Sequence, residues 1–151
     1  MKHSDEEKSQ TNYRILDIPI IDKQHFKFFV IFDNLLLINK EKNEGIREIK
    51  ILTELNELQK YTVYHFFTEE RLMKNANWEY IEQHIEQHSI FKNKCMEFMI
   101  DYNYRNRVLL EEIVLFLRKW FIAHISDIDA SYADRVKAYL TNREEKKEEY
   151  I

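Results

Sequence analysis

The sequence predicts an all-α protein: an antiparallel up-down-up-down four-helix bundle with an N-terminal arm and a short C-terminal helix. Three observations predict it. The 151 residues include one glycine and one proline, too few for the tight turns of a β-rich chain. Four long segments carry apolar residues at helical spacing. The breaks between them are short and polar, as antiparallel neighbours need.

Residues 1–12 are polar and are expected to form a disordered arm, 13–141 the bundle, and 142–151 a charged tail. The run Tyr13 to Ile21 is apolar, contains Pro19 and has no helical period, so it is expected to lie extended against the core. Asp22 is the expected N-cap of the first helix, about 23–40, with His25, Phe28, Phe29, Phe32, Leu35, Leu36 and Asn39 on one side. Lys40 to Gly45 reads as the first loop. In the second helix, about 46–74, Ile51, Leu55, Leu58, Thr62, His65, Glu69 and Leu72 make one continuous stripe. Lys74 to Asn77 reads as the second loop. The third helix, about 78–102, turns Ile81, His84, His88, Phe91, Cys95 and Phe98 inward, and Asn103 to Asn106 reads as the third loop. The fourth, about 107–125, turns in Leu110, Ile113, Leu117, Trp120, Phe121 and His124. A short helix near 130–141 follows, and Arg143 to Glu149 reads as a solvated charge run, either a frayed helix or disorder.

An apolar fraction of 44% supports a packed globule. A net charge of -4 leaves no basic footprint for nucleic acid or an anionic membrane. No apolar run has the length of a membrane span, and the N-terminus lacks the apolar stretch of a signal peptide, so a cytoplasmic location is expected. The single cysteine excludes an internal disulfide framework.

Of six histidines, His3 lies in the polar arm and the other five fall on the inward stripes. His65 and Glu69 are four apart and share a helix face, as do His84 and His88. Each pair alone reads equally as a metal site or a surface contact. A lone histidine on an apolar face is more often a satisfied core residue. Five are different, because each unpartnered buried polar group costs on the order of 1–3 kcal/mol. In an antiparallel bundle the start of the first helix, the end of the second, the start of the third and the end of the fourth lie at one level. All five histidines therefore converge on one layer.

The set Ile18-Pro19-Ile20-Ile21-Asp22-Lys23-Gln24-His25, His65-x-x-x-Glu69, His84-x-x-x-His88 and Trp120-Phe121-Ile122-Ala123-His124-Ile125 with Asp129 resembles the hemerythrin family, in its single-domain bacterial form, over about residues 13–135. The resemblance implies two iron ions bridged by an oxo or hydroxo group. One would take His84, His88 and His124, the other His25 and His65, with Glu69 and Asp129 bridging. Five imidazoles, two bridging carboxylates and a shared oxygen fill all but one position of two six-coordinate ions. The open position falls on the ion with two histidines, where dioxygen would bind. Ferritin-like oxidising sites use more carboxylates and Glu-x-x-His motifs. The imidazole-rich set here favours reversible binding instead.

The resemblance also implies that Phe66, Trp120, Phe121 and Ile125 wall the dioxygen pocket, beyond the core packing their apolarity already explains. Many relatives carry Leu where Phe121 stands. Asp127 competes with Asp129, but the family pattern puts the carboxylate five past the histidine and so favours Asp129. Glu70 reads as surface or as a partner behind a ligand, Tyr132 as packing, Cys95 as a reduced core thiol, and Met73, Met96 and Met99 as gap-fillers. The expected function is a dioxygen carrier, store or sensor, with no catalytic residue. The alternatives are a di-iron enzyme of the same fold acting on peroxide, nitric oxide or ferrous iron, and a helical interaction protein whose histidines bind zinc or nothing. No protein partner is legible.

Overall fold

The computed structural model describes residues 13–105 and 110–148, without the side chains of 103–105 and 147–148. The arm expected over 1–12, the tail end 149–151 and the stretch 106–109 lie outside the described residues. The helices are α1 (Pro19–Ile38), α2 (Glu44–Asn75), α3 (Ile81–Arg105), α4 (Leu110–Ala123), a π-helical segment (His124–Asp129) and α5 (Ala130–Glu148). Among the described residues there is no strand. No described helix is long and apolar enough to cross a membrane. The chain is a four-helix bundle: α1 packs on α2 and α4, α2 packs on α3, and α5 returns against α2.

The inward stripes are where periodicity puts them. Phe28, Phe32, Leu35, Ile51, Leu55, Leu58, Phe91, Leu110, Ile113 and Leu117 are all buried. Burying side chains of this size contributes about 1.5–3 kcal/mol each and holds the helices together. Arg118 on α4 reaches Asp33 on α1 at 2.8 Å and lies over the Phe29 ring, tying those two helices at the surface.

The helix ends differ from expectation. Asp22 is not the N-cap. The first helix starts four residues earlier than expected, with Pro19 at its first position and Ile18 in extended conformation before it. Proline suits that place, because its fixed φ is already helical and its missing N–H would be unsatisfied anyway. Asp22 lies in the first turn and accepts the Leu16 N–H at 2.9 Å, so it pins the lead-in. Leu16 and Ile18 are buried, and Tyr13 stacks on Phe29 at 4.4 Å.

Gly45 is not in the first loop either. Asn43 caps α2 by accepting the Ile46 N–H at 3.0 Å, which places Gly45 inside the first turn. At the other end Asn77 takes a left-handed φ of 54°. Its N–H bonds Lys74 O at 3.1 Å, and the Trp78 N–H bonds Met73 O at 3.0 Å, the two bonds of a Schellman stop. Arg135 Nε of α5 donates to the exposed-end carbonyl of Ala76 at 2.9 Å. The third helix runs to Arg105, past the expected loop start.

The last expectation to fail is the short C-terminal helix after a gap. α4, the π-helical segment and α5 are continuous, and α5 extends to Glu148 through most of the charged run. Lys, Arg and Glu are good helix formers, and no glycine or proline interrupts them.

A Cβ placed on Gly45 would meet only Asn43 Oδ1, at 3.7 Å. Gly45→Ala should therefore stabilise the chain by about 0.5–1 kcal/mol, because it removes backbone freedom from the unfolded state at no steric cost. Urea unfolding of the two chains checks it; an unchanged or lower midpoint would refute this account of the first turn.

Candidate metal centre

His25 stands near the start of α1, His65 and Glu69 in the last third of α2, and His84 and His88 near the start of α3. His124 and Asp129 are the two ends of the π-helical segment. Antiparallel packing brings all seven into one layer, where none is more than 3% exposed.

Each carboxylate turns its two oxygens in different directions. His25 Nε2 is 3.1 Å from Asp129 Oδ2 and 3.5 Å from Glu69 Oε1, and His65 Nε2 is 3.5 Å from the same Glu69 oxygen. Across the layer, His84 and His124 Nε2 are each 2.9 Å from Asp129 Oδ1, and His88 Nε2 is 3.1 Å from Glu69 Oε2. Two donor groups result, each with its ligand atoms within 4.8 Å of one another: Glu69, His84, His88, His124 and Asp129, and His25, His65, Glu69 and Asp129. They share the two carboxylates. Asp127, the competing carboxylate, is exposed.

The π-helical segment explains how His124 and Asp129 meet. On an α-helix, residues five apart are about 140° out of line. The i→i+5 repeat of a π-helix returns them to one face, as such insertions often do at functional sites. The spacing that singles out Asp129 over Asp127 thus has a backbone cause.

With neutral imidazoles turning Nε2 lone pairs inward, these short contacts have no proton between them. All five Nε2 atoms, Glu69 Oε2 and both Asp129 oxygens are buried without a hydrogen-bond partner. So many orphaned atoms in one place need a common partner. A six-coordinate ion with bonds of about 2.1 Å puts neighbouring ligand atoms about 3 Å apart, which is the spacing seen here. Imidazole with carboxylate is a donor set suited to iron or zinc. The residues present therefore fit a metal centre.

Outer partners set the tautomers. Gln24 Oε1 can only accept, so His65 donates its Nδ1–H to it, at 2.8 Å. His88 donates its Nδ1–H to Glu70 Oε1, also at 2.8 Å. Both rings then present Nε2 lone pairs to the centre. Tyr132 donates its hydroxyl to Glu69 Oε1 at 2.7 Å. The packing role expected for Tyr132 is thus incomplete, because the phenol also holds a carboxylate. Glu70 is the partner behind His88, which decides between its two sequence readings.

Electrostatics agree with a site built for a cation. Burial and the Asp129 charge would raise Glu69, yet His65, His25 and His88 hold it below the usual carboxylate range. Burial would likewise raise Asp129, which His124, His25 and His84 hold well below its usual value. Burial would lower His25, but Asp129 and Glu69 outweigh it and raise it to about 9. Burial would lower His88 too, and Glu69 and Glu70 raise it. Burial wins at His65, which falls to about 4 and stays neutral. Burial and then the two carboxylates push Tyr132 well above the usual phenol value, so it remains a donor. Cys95 is a core thiol, pushed by burial up to about 12.

Aromatic rings fix the imidazole planes. Phe66 stacks on His88 at 3.8 Å and 4°, and Trp120 stacks on His124 at 4.4 Å and 13°. Phe121 lies 6.3 Å from His25 and 6.1 Å from His65, against Phe28 at 4.1 Å. Phe66, Phe121 and Ile125 are buried, whereas Trp120 is half-buried. Phe121 therefore faces the two-histidine group and Trp120 backs the three-histidine group.

Gln24 was not a sequence candidate, though a signal existed. It lies on the stripe Ile21, Gln24, Phe28, Ile31, Leu35, all buried, where a polar side chain needs a partner. Thr68, also buried, accepts from Gln24 Nε2 at 3.4 Å and donates to Tyr64 O at 3.0 Å.

The family description "Hemerythrin HHE cation binding domain" matches residues 16–136. A bacteriohemerythrin of Pseudomonas paraeruginosa is 32% identical over 120 residues, covering 80% of this chain and 75% of its own. Another, of Stenotrophomonas maltophilia, is 27% identical over 126 residues, covering 83% and 78%. A crystal structure of a hemerythrin leucine-to-tyrosine mutant shares the fold, with a TM-score of 0.69 at 22% identity, over 78% of this chain and 87% of that one. With the bundle, the shared carboxylates and the family match in agreement, the chain belongs to the hemerythrin HHE cation-binding family.

Proposed function

We propose that the chain holds two non-haem iron ions, bridged by Glu69, Asp129 and an oxo or hydroxo group, and binds dioxygen reversibly as a carrier, store or sensor. His84, His88 and His124 would serve one ion, and His25 and His65 the other. One observation carries the reading: the orphaned donor atoms divide unequally, three imidazoles against two, around a shared pair of carboxylates. The group with fewer donors is the one that would leave a coordination position open to a small ligand. Iron held there would supply the electrons that dioxygen binding needs. We read the chain as a binding protein, with no residue assigned a catalytic role.

The protein residues do the rest. Phe28 and Phe121 cover His65 and His25 with hydrocarbon, which excludes water from that side. Gln24 orients His65 and Glu70 orients His88. Tyr132 holds Glu69 Oε1, the oxygen turned to His25 and His65.

Three outcomes are expected. Chain purified without a tag, loaded with Fe(II) under argon and exposed to air should gain visible charge-transfer bands that fade under argon over several cycles. Irreversible conversion, or steady turnover of peroxide with a reductant, would point to the enzyme alternative. Glu69→Ala should hold fewer than the wild-type complement of about two irons per chain, since losing even a partner behind a ligand typically costs about 10- to 100-fold in affinity and Glu69 would be a ligand itself. Full iron content and normal dioxygen binding in that variant would refute the bridge.

Metal uptake should also release protons. His25 is raised to about 9, so below that pH it is protonated in the metal-free chain, and the metal must displace the proton. Affinity should therefore rise with pH up to about 9 and lose this dependence above it. Weakly buffered titration with Fe(II) under argon at pH 7 should acidify the solution by on the order of one proton per chain. No pH change would show that the imidazoles are already neutral.

A further inference from the structure

The two donor groups differ behind their ligands as well as in ligand number. His88 is backed by a carboxylate, Glu70, and His65 by a neutral amide, Gln24, both at 2.8 Å. Among the described residues, His25 and His124, one in each group, have no hydrogen-bond partner at Nδ1. Among the described residues, the side chains hydrogen-bonded behind the imidazoles are Gln24, at His65, and Glu70, at His88.

The amide is held in one orientation. Its Nε2 donates to Thr68 Oγ1 at 3.4 Å, and Thr68 donates in turn to Tyr64 O at 3.0 Å, which leaves Oε1 for His65. A carboxylate behind an imidazole makes a charge-assisted bond and raises the ring's basicity toward a metal, while an amide does so far less. Tyr132 adds to the imbalance. Its O–H occupies Glu69 Oε1, the oxygen turned to His25 and His65, whereas Oε2, turned to His88, has no such donor.

We infer that Gln24 and Glu70 are positioning residues that set unequal metal affinities, so that the group of His84, His88 and His124 loads first and the group of His25 and His65 second. The inference rests on the two-ion reading above. Ligand number alone would also order the steps, so the outer residues must be tested by exchanging their chemistry.

Equilibrium dialysis of the full chain against graded Fe(II) under argon, with iron per chain by metal analysis, gives the two steps directly. Gln24→Glu should tighten the second step about tenfold and leave the first in place, within the 10- to 100-fold range of outer-partner effects. Glu70→Gln should weaken the first step about tenfold and leave the second. The Glu70 side chain is 26% exposed, so solvent screening favours the low end of that range. A gain of affinity in Gln24→Glu is a result that mere structural damage does not produce. If burying a third acid keeps Gln24→Glu from folding, Glu70→Gln decides alone. Two irons per chain with steps that the variants do not move would overturn this inference and leave the two-ion reading standing. Fewer than two irons at saturation in the wild-type chain would overturn both.

Discussion

Two carboxylates with no exposed surface govern this molecule. Glu69 and Asp129 are each 0% exposed, and among the described residues neither pairs with a lysine or arginine. An isolated ionised carboxylate is too costly to leave in such a place, so it must be neutralised or paired. The only cationic capacity within reach is imidazole that has taken a proton, or a metal that takes the proton's place at the same lone pairs. Removing one carboxylate would leave imidazoles unpartnered, and removing imidazoles would leave a carboxylate uncompensated. The layer is satisfied as a whole or not at all.

Ring orientation and ring tautomer are set by different means. Flat stacking of Phe66 on His88 and of Trp120 on His124 fixes two planes through area and packing. Hydrogen bonds from His65 to Gln24 and from His88 to Glu70 fix which nitrogen carries the proton. The hydrocarbon half of the bundle, with Leu35, Ile51, Leu55 and Leu117, supplies the stiffness that keeps both kinds of contact in place. At the other end the backbone itself bends to the site, since only the π-helical segment lets His124 and Asp129 face the same way.

Much of this is legible in the residues. The stripe from Ile51 to Leu72 and the stripe through His84, His88, Phe91 and Cys95 are periodic, and helical period determines which face is buried. Convergence of the histidines follows from antiparallel order alone. The ends are less legible, because a single residue has two uses. Pro19 both ends an extended run and begins a helix, and Asp22 caps backward to Leu16 instead of forward. The π-helical segment adds no residue type that marks it. Gln24 meets His65 across two helices, and that depends on the helices' relative register, to which composition is blind. Its place on an apolar stripe says only that some partner exists.

Phe121 separates what binding requires from what access requires. Its ring fills the space between His25, His65 and the hydrocarbon cluster of Phe28, Phe29 and Phe32, at 0% exposure. Any small ligand taken up on that side reaches it only when packed side chains move, since interiors of this density hold few voids larger than a water molecule. Ring motion would then govern how fast such a ligand enters and leaves. The donor set would govern how tightly it is held. A leucine at 121 would change the first and leave the second largely alone, because Phe121 makes no hydrogen bond to any ligand-bearing residue. Gln24 and Glu70 act differently: both stand behind imidazoles. Under the two-ion reading the site would thus have two separate adjustments, one steric at Phe121 and one electrostatic at Gln24 and Glu70.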